Sequence, residues 1–228
     1  MSKNPFFLYL HGFASGPTSE KARFFSERLA ARGVRLAVPD LNEGEGGFFG
    51  LTVSRALRRV EEILAEAGAR ERGAVLVGSS LGGYLSALAA SRNPEIQAVL
   101  MMAPAFDLPA RWQHILGPEV ISRWRQDGRL EVDHYAWRRK EAISFTFYRD
   151  SLGHPPYPKV ECPGLILHGI HDAEVPVGAS RKFVSLSPTV RLVELDSDHG
   201  LTDVLDPMWK EAETFLEPWL PPRTENDS

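Results

Sequence analysis

The sequence predicts an α/β protein, with a mostly parallel sheet covered by helices on both faces. Three observations carry that expectation. Short apolar runs recur along the chain, at Phe6–Leu10, Val34–Val38, Ala74–Val77, Ala98–Met102, Leu165–Leu167 and Val190–Leu195. Most are continuous rather than alternating, which suits strands buried on both faces. Amphipathic segments separate them, and alternating β and α units imply right-handed parallel crossovers.

Each element has its own signal. Ser19–Ala31 carries a stripe through Ala22, Phe25 and Leu29. Thr52–Ala67 is stronger: Val53, Ala56, Leu57, Val60, Ile63, Leu64 and Ala67 follow i, i+3, i+4 spacing, with Arg55, Arg58, Arg59, Glu62 and Glu66 off the stripe. Leu81–Ser91 continues with Leu85, Leu88 and Ala89 apolar. Asp206-Pro207 reads as an N-cap and first helical position, ahead of Met208, Trp209, Ala212, Phe215, Leu216 and Trp219. The stretch 104–160 is too long for one crossover helix and is expected to be a mostly helical lid, inserted into a core formed by 1–103 and 161–220. It holds Trp112, Trp124 and Trp137, three of the five tryptophans. Residues 221–228 are polar and proline-led, and read as a frayed tail.

Composition narrows the function classes. The 228 residues make one large domain, or one with an insertion. A net charge of −4 and a pI near 6 give no footprint for nucleic acid or a basic membrane patch. The single cysteine, Cys162, allows no intrachain disulfide and fits a reducing compartment. The opening apolar run ends at His11-Gly12, too soon for a signal peptide or a membrane span, so the expected location is the cytoplasm.

The chemistry starts at Gly78-Ser79-Ser80-Leu81-Gly82, a G-x-S-x-G motif between a buried-strand run and a helix. Only Ser80 has glycine at both −2 and +2, so Ser80 is the candidate nucleophile. A serine hydroxyl needs a base. Of seven histidines, His199 lies on a loop after the last strand run, at the same carboxyl edge as Ser80. His114, His134 and His154 fall in the insertion, while His11 and His168 precede glycines at strand ends and read as packing or backbone-orienting residues. The base needs an orienting carboxylate. Asp172 follows the strand run Leu165–Leu167 and completes the order Ser…Asp…His, with Glu174 as the fallback. Asp196 and Asp198 sit so close to His199 that turn hydrogen bonds are the simpler expectation. The backbone N–H groups of Leu81 and of Phe13, in His11-Gly12-Phe13, are the candidate oxyanion donors. His168 and His171 alone are weak evidence for a metal, and the chemistry needs no metal or organic cofactor.

Taken in order, His11-Gly12-Phe13, Gly78-Ser79-Ser80-Leu81-Gly82-Gly83, His168-Gly169-x-x-Asp172-x-x-Val175-Pro176 and Asp198-His199 resemble an α/β-hydrolase over nearly the whole chain. The first two motifs resemble small bacterial esterases. The run Cys162-Pro163 to Pro176 resembles the palmitoyl-protein thioesterase and acyl-glucuronide esterase group. The resemblance implies hydrolysis of acyl esters or thioesters, of small molecules or of an acylated protein. The family sheet has eight strands and its two leading strands are missing here, so a minimal six-stranded sheet is expected. Serine at the elbow, where dehalogenases and epoxide hydrolases carry Asp, implies acyl transfer. The same parts also serve C–C bond hydrolases, peptidases and perhydrolases, and the scaffold can carry a catalytically inactive binding protein. Within the insertion, Trp112, Trp124, Trp137, Phe145 and Phe147 are candidates for an acyl pocket, although packing onto the sheet is the better account of many of them.

Overall fold

A computed structural model describes residues 4–222. Strand β1 (Phe6–Leu10) leads to helix α1 (Glu20–Ala31) and a two-residue strand β2 (Leu36–Ala37). Helices α2 (Val53–Glu66) and α3 (Ala69–Arg72) precede β3 (Ala74–Ser79), which turns directly into α4 (Leu81–Ala90) and then β4 (Ile96–Met102). Next come α5 (Leu108–Asp127), strands β5 (Arg129–His134) and β6 (Arg139–Ser144), and α6 (Phe145–Ser151). The chain returns to the sheet through β7 (Gly164–Gly169), α7 (Gly178–Leu186), β8 (Val190–Leu195) and α8 (Leu205–Leu216).

Six strands form one all-parallel sheet in the order β2-β1-β3-β4-β7-β8. The continuous apolar runs follow from covering both faces. In β1, Leu8 and Leu10 join a core with α2, α4 and α7, while Phe7 and Tyr9 join another with α1 and α8. Thr52 caps α2, its hydroxyl accepting from the Arg55 N–H at 3.0 Å.

The structure extends one local expectation and corrects two. The insertion carries helices α5 and α6, and between them β5 and β6 pair as an antiparallel hairpin that the sequence reading did not include. Its inward residues Leu130, Val132 and His134 alternate with exposed Arg129, Glu131 and Asp133, a period of two crowded by charge. In addition, α5 is broken at Gly117, where φ is 73° and Pro118 starts the second piece. The run Val34–Val38 gives only two strand residues at the sheet edge. Finally, α8 begins at Leu205, so Asp206 is not its N-cap; its carboxylate pairs with Arg28. Residues 223–228 of the expected tail lie outside the described residues. Among the described residues, no helix is long and apolar enough to cross a membrane.

Candidate active site

Four chain segments meet at the carboxyl edge of the sheet. The β3–α4 turn presents Ser80 with φ 52° and ψ −115°, a strained conformation for a residue with a side chain. Close approach explains the glycines around it. A Cβ on Gly82 would overlap the Leu10 carbonyl, and one on Gly78 would overlap the Gly82 carbonyl. The turn is tied down by its backbone: the Ser80 N–H donates to the Met102 carbonyl at 2.8 Å, and the Ser80 carbonyl accepts from Ala105 at 3.0 Å.

His199 bridges the other two groups. Its Nε2 lies 3.0 Å from Ser80 Oγ, and its Nδ1 lies 2.7 Å from Asp172 Oδ2. The Asp172 carboxylate is buried and rich in donors. Its Oδ1 accepts from the N–H groups of Glu174 at 2.9 Å and Val175 at 2.7 Å. Its Oδ2 also accepts from His168 Nε2 at 3.1 Å. Burial alone would raise the carboxyl pKa. The hydrogen bonds from His168 and His199, the His199 charge and the Val175 N–H outweigh it and hold Asp172 well below the usual carboxylate range.

The other candidates fall into place around this centre. Glu174 reaches His199 from the Nε2 side, at 3.6 Å, and is largely exposed. Asp198 accepts from the Gly200 N–H at 2.7 Å, a turn bond within the loop. His168 does more than pack. Its Nε2 also meets the Val175 carbonyl at 2.8 Å, so that nitrogen carries the proton, and Nδ1 accepts from the Ser180 hydroxyl at 2.7 Å. The i, i+4 spacing of His168 and Asp172 is the sequence signal for this support. His11 is buried and fixes the β1–α1 loop, its Nε2 accepting from the Leu41 N–H at 2.9 Å and its Nδ1 donating to the Gly12 carbonyl at 2.9 Å. His171 turns away to Asp196 at the surface, at 2.8 Å. Among the described residues, no three His, Cys, Asp or Glu side chains gather as metal ligands. Burial raises the Cys162 thiol to about 11, far from the range of a reactive thiolate.

A cleft of about 790 Å³ opens over Ser80 and His199. Phe13, Trp112, Ile115, Leu116 and Val132 form an apolar wall. Of the five aromatic residues singled out in the insertion, Trp112 lies on that wall. Trp124 and Phe147 are buried behind it, with Trp112 5.1 Å from Trp124 and 5.7 Å from Phe147 between ring centres. Trp137 stacks on His134 at 3.8 Å, and Phe145 lines a separate cleft. Phe13 holds the wall to the core, 5.2 Å from Phe48 and 5.3 Å from Trp112. Leu81 occupies the first helical position of α4, where a backbone N–H has no intrahelical acceptor.

Tyr9 and Lys21 also line the cleft, and the sequence offered no motif for either. Lys21 Nζ donates to the Gly200 carbonyl at 2.5 Å, beside His199. Burial pulls its ammonium down to about 8, against the carboxylates of Asp172, Asp198, Glu174 and Glu20.

Comparison with known proteins finds related chains and folds. Residues 6–216 match an uncharacterised protein family, UPF0227. The mitochondrial palmitoyl-protein thioesterase ABHD10 of Rattus norvegicus is 28% identical over 216 residues, spanning 90% of this chain and 72% of that protein. The solved structure of alpha/beta hydrolase domain-containing protein 10 from mouse has a TM-score of 0.80 at 24% identity, covering 96% of this chain and 92% of that one. Est1E from Butyrivibrio proteoclasticus, solved with ferulic acid bound, gives a TM-score of 0.80 at 22% identity over 96% of this chain and 90% of its own. The fold is that of the α/β-hydrolases.

Proposed function

We propose that this chain, which belongs to the uncharacterised protein family UPF0227, is a serine hydrolase that cleaves carboxylic esters or acyl thioesters through an acyl-enzyme on Ser80. The observation that carries the reading is the position of His199, with one ring nitrogen on Ser80 Oγ and the other on Asp172. Relatives named as thioesterases and neighbours named as esterases support the same class.

The residues divide the reaction as follows. His199 Nε2 takes the Ser80 proton as Oγ attacks the acyl carbonyl. Asp172 keeps the proton on Nδ1 and stabilises the imidazolium. The carbonyl oxygen becomes an oxyanion, held by the N–H groups of Leu81 and Phe13. The leaving oxygen or sulfur departs with the proton from His199. Water, activated by the same nitrogen, then releases the acid and restores Ser80. The insertion 104–160 roofs the cleft and sets acyl preference through its apolar wall.

The test is intact mass after a fluorophosphonate, with peptide mapping, run beside Ser80→Ala. One adduct on Ser80, absent in the variant, is the expected result. No adduct on folded protein overturns the reading in favour of a binding protein on this scaffold.

A further inference from the structure

Lys21 stands where its charge is opposed twice. It is the second residue of α1, at the positive end of the helix dipole. It is also half-buried, and desolvation disfavours the ammonium. Carboxylates from three chain segments sustain the charge: Asp172 and Glu174 after β7, Asp198 after β8, and Glu20 on its own helix. Yet the ammonium bonds to none of them. Its one hydrogen bond among the described residues runs to the Gly200 carbonyl, at 2.5 Å. A side chain that breaks the local rule for a helix start and aims at one carbonyl marks that carbonyl as worth holding.

The Gly200 carbonyl belongs to a strained piece of backbone. Its peptide leads into Leu201, which is 0% exposed and held at φ 55°, in the left-handed region that a side chain disfavours. Strain of that kind persists only where the surroundings over-determine it. Before His199 the loop is well tied. The His171 N–H donates to the Ser197 carbonyl at 3.0 Å, and the Ser197 hydroxyl donates to Asp203. The loop also packs so closely on Gly169 that a Cβ there would overlap the Ser197 and Asp198 carbonyls. After His199 the ties are fewer. The Gly200 N–H turns back to Asp198, within the loop, at 2.7 Å. Among the described residues, Lys21 supplies the one hydrogen bond that reaches the backbone of 198–200 from another element.

We infer that Lys21 is a positioning residue of the hydrolysis: reaching across from α1, it holds the Gly200–Leu201 peptide and so keeps His199 Nε2 at 3.0 Å from Ser80 Oγ. This rests on the serine hydrolase reading and adds a residue to the machinery of the same site. Lys21 moves no proton in the reaction. It acts on geometry, where a displacement of about 1 Å costs about 10²-fold in rate.

Steady-state kinetics on p-nitrophenyl butyrate, beside the rate of Ser80 labelling by a fluorophosphonate, test it. Lys21→Met keeps an unbranched side chain and removes the donor. The expected result is a kcat lower by about 10²-fold at unchanged KM, with labelling slowed to a similar degree. Lys21→Cys gives the same loss. Alkylating that variant with bromoethylamine rebuilds an amine at the position and restores most of kcat. Wild type treated in parallel controls for Cys162. Thermal unfolding stays cooperative in both variants. A raised KM at unchanged kcat makes Lys21 a substrate contact and overturns the inference. So does a rebuilt amine that restores nothing, or the loss of cooperative unfolding in both variants, which assigns Lys21 to the fold alone. Ser80 labelled as fast in Lys21→Met as in wild type sinks this inference and leaves the hydrolase reading standing. No labelling and no cleavage by wild type sinks the serine hydrolase reading beneath it.

Discussion

The sheet edge and the insertion that roofs it are built on different terms. At the edge, Ser80 and Asp172 sit at the ends of strands that are buried throughout, and every polar atom around Asp172 is paired. In the roof, the hairpin is half exposed, Tyr135 is 71% exposed on the cleft, and α5 is broken at Gly117. The edge holds atoms to a fixed geometry, while the roof supplies surface. The lesson is that substitutions in the first should change chemistry or folding, and those in the second should change which acyl group fits.

The largest effect expected is on the edge. Asp172→Asn leaves the fold in place but costs about 10⁴-fold in kcat, because the amide presents the wrong partner to His199 Nδ1. Steady-state ester hydrolysis beside circular dichroism checks both halves. A loss under tenfold would break the contrast. The same carboxylate gives a pH signature. Its folded pKa is held below its unfolded value of about 3.9, so its contribution to stability is full above about pH 5 and is lost as pH falls toward the depressed value. Urea unfolding from pH 6 to 2 should show stability falling with acid, with a shallower slope in Asp172→Asn.

Two tryptophans of the insertion sharpen the comparison. Trp124 is buried, and its indole N–H donates to the Ile143 carbonyl at 3.1 Å. Trp124→Ala should cost about 3–5 kcal/mol by denaturant unfolding. Gly82→Ala belongs to the edge and should cost about 3 kcal/mol, the upper end for overpacking, by the same measurement. Trp112 lies on the cleft, so Trp112→Ala should act mainly on substrate choice. A shift of about tenfold in kcat/KM between short and long acyl esters is expected. A stability loss as large as that of Trp124→Ala would mean that the wall is core after all.

The same division decides what could be read from the sequence. The strand ends carry a local grammar. Ser80 needs Gly78 and Gly82 beside it because backbone passes within contact distance there, and that requirement is visible as letters. The placements of Asp172 and His199 followed from strand order alone. The hairpin at 129–144 was missed because its alternation of Leu130 and Val132 is crowded by charged residues, and five of its first six residues are exposed or only partly buried on a surface element. Tyr9 and Lys21 were missed for another reason. Tyr9 reads as one more apolar letter in β1, and Lys21 as an ordinary charge in the first turn of α1. Only the fold brings both to the cleft.

The shell around Asp172 has one more consequence. Four N–H groups, from His168, His199, Glu174 and Val175, converge on its two oxygens and occupy about all the lone-pair sites a carboxylate offers. It is coordinated much as a bound anion would be in a receptor. A proton arriving there would have to evict one of its ligands. The far side is closed as well, since His168 has its proton fixed on Nε2 by the Val175 carbonyl and takes the Ser180 hydroxyl on Nδ1. Charge therefore terminates at Asp172, and the helix behind it acts as the wall of an insulated well.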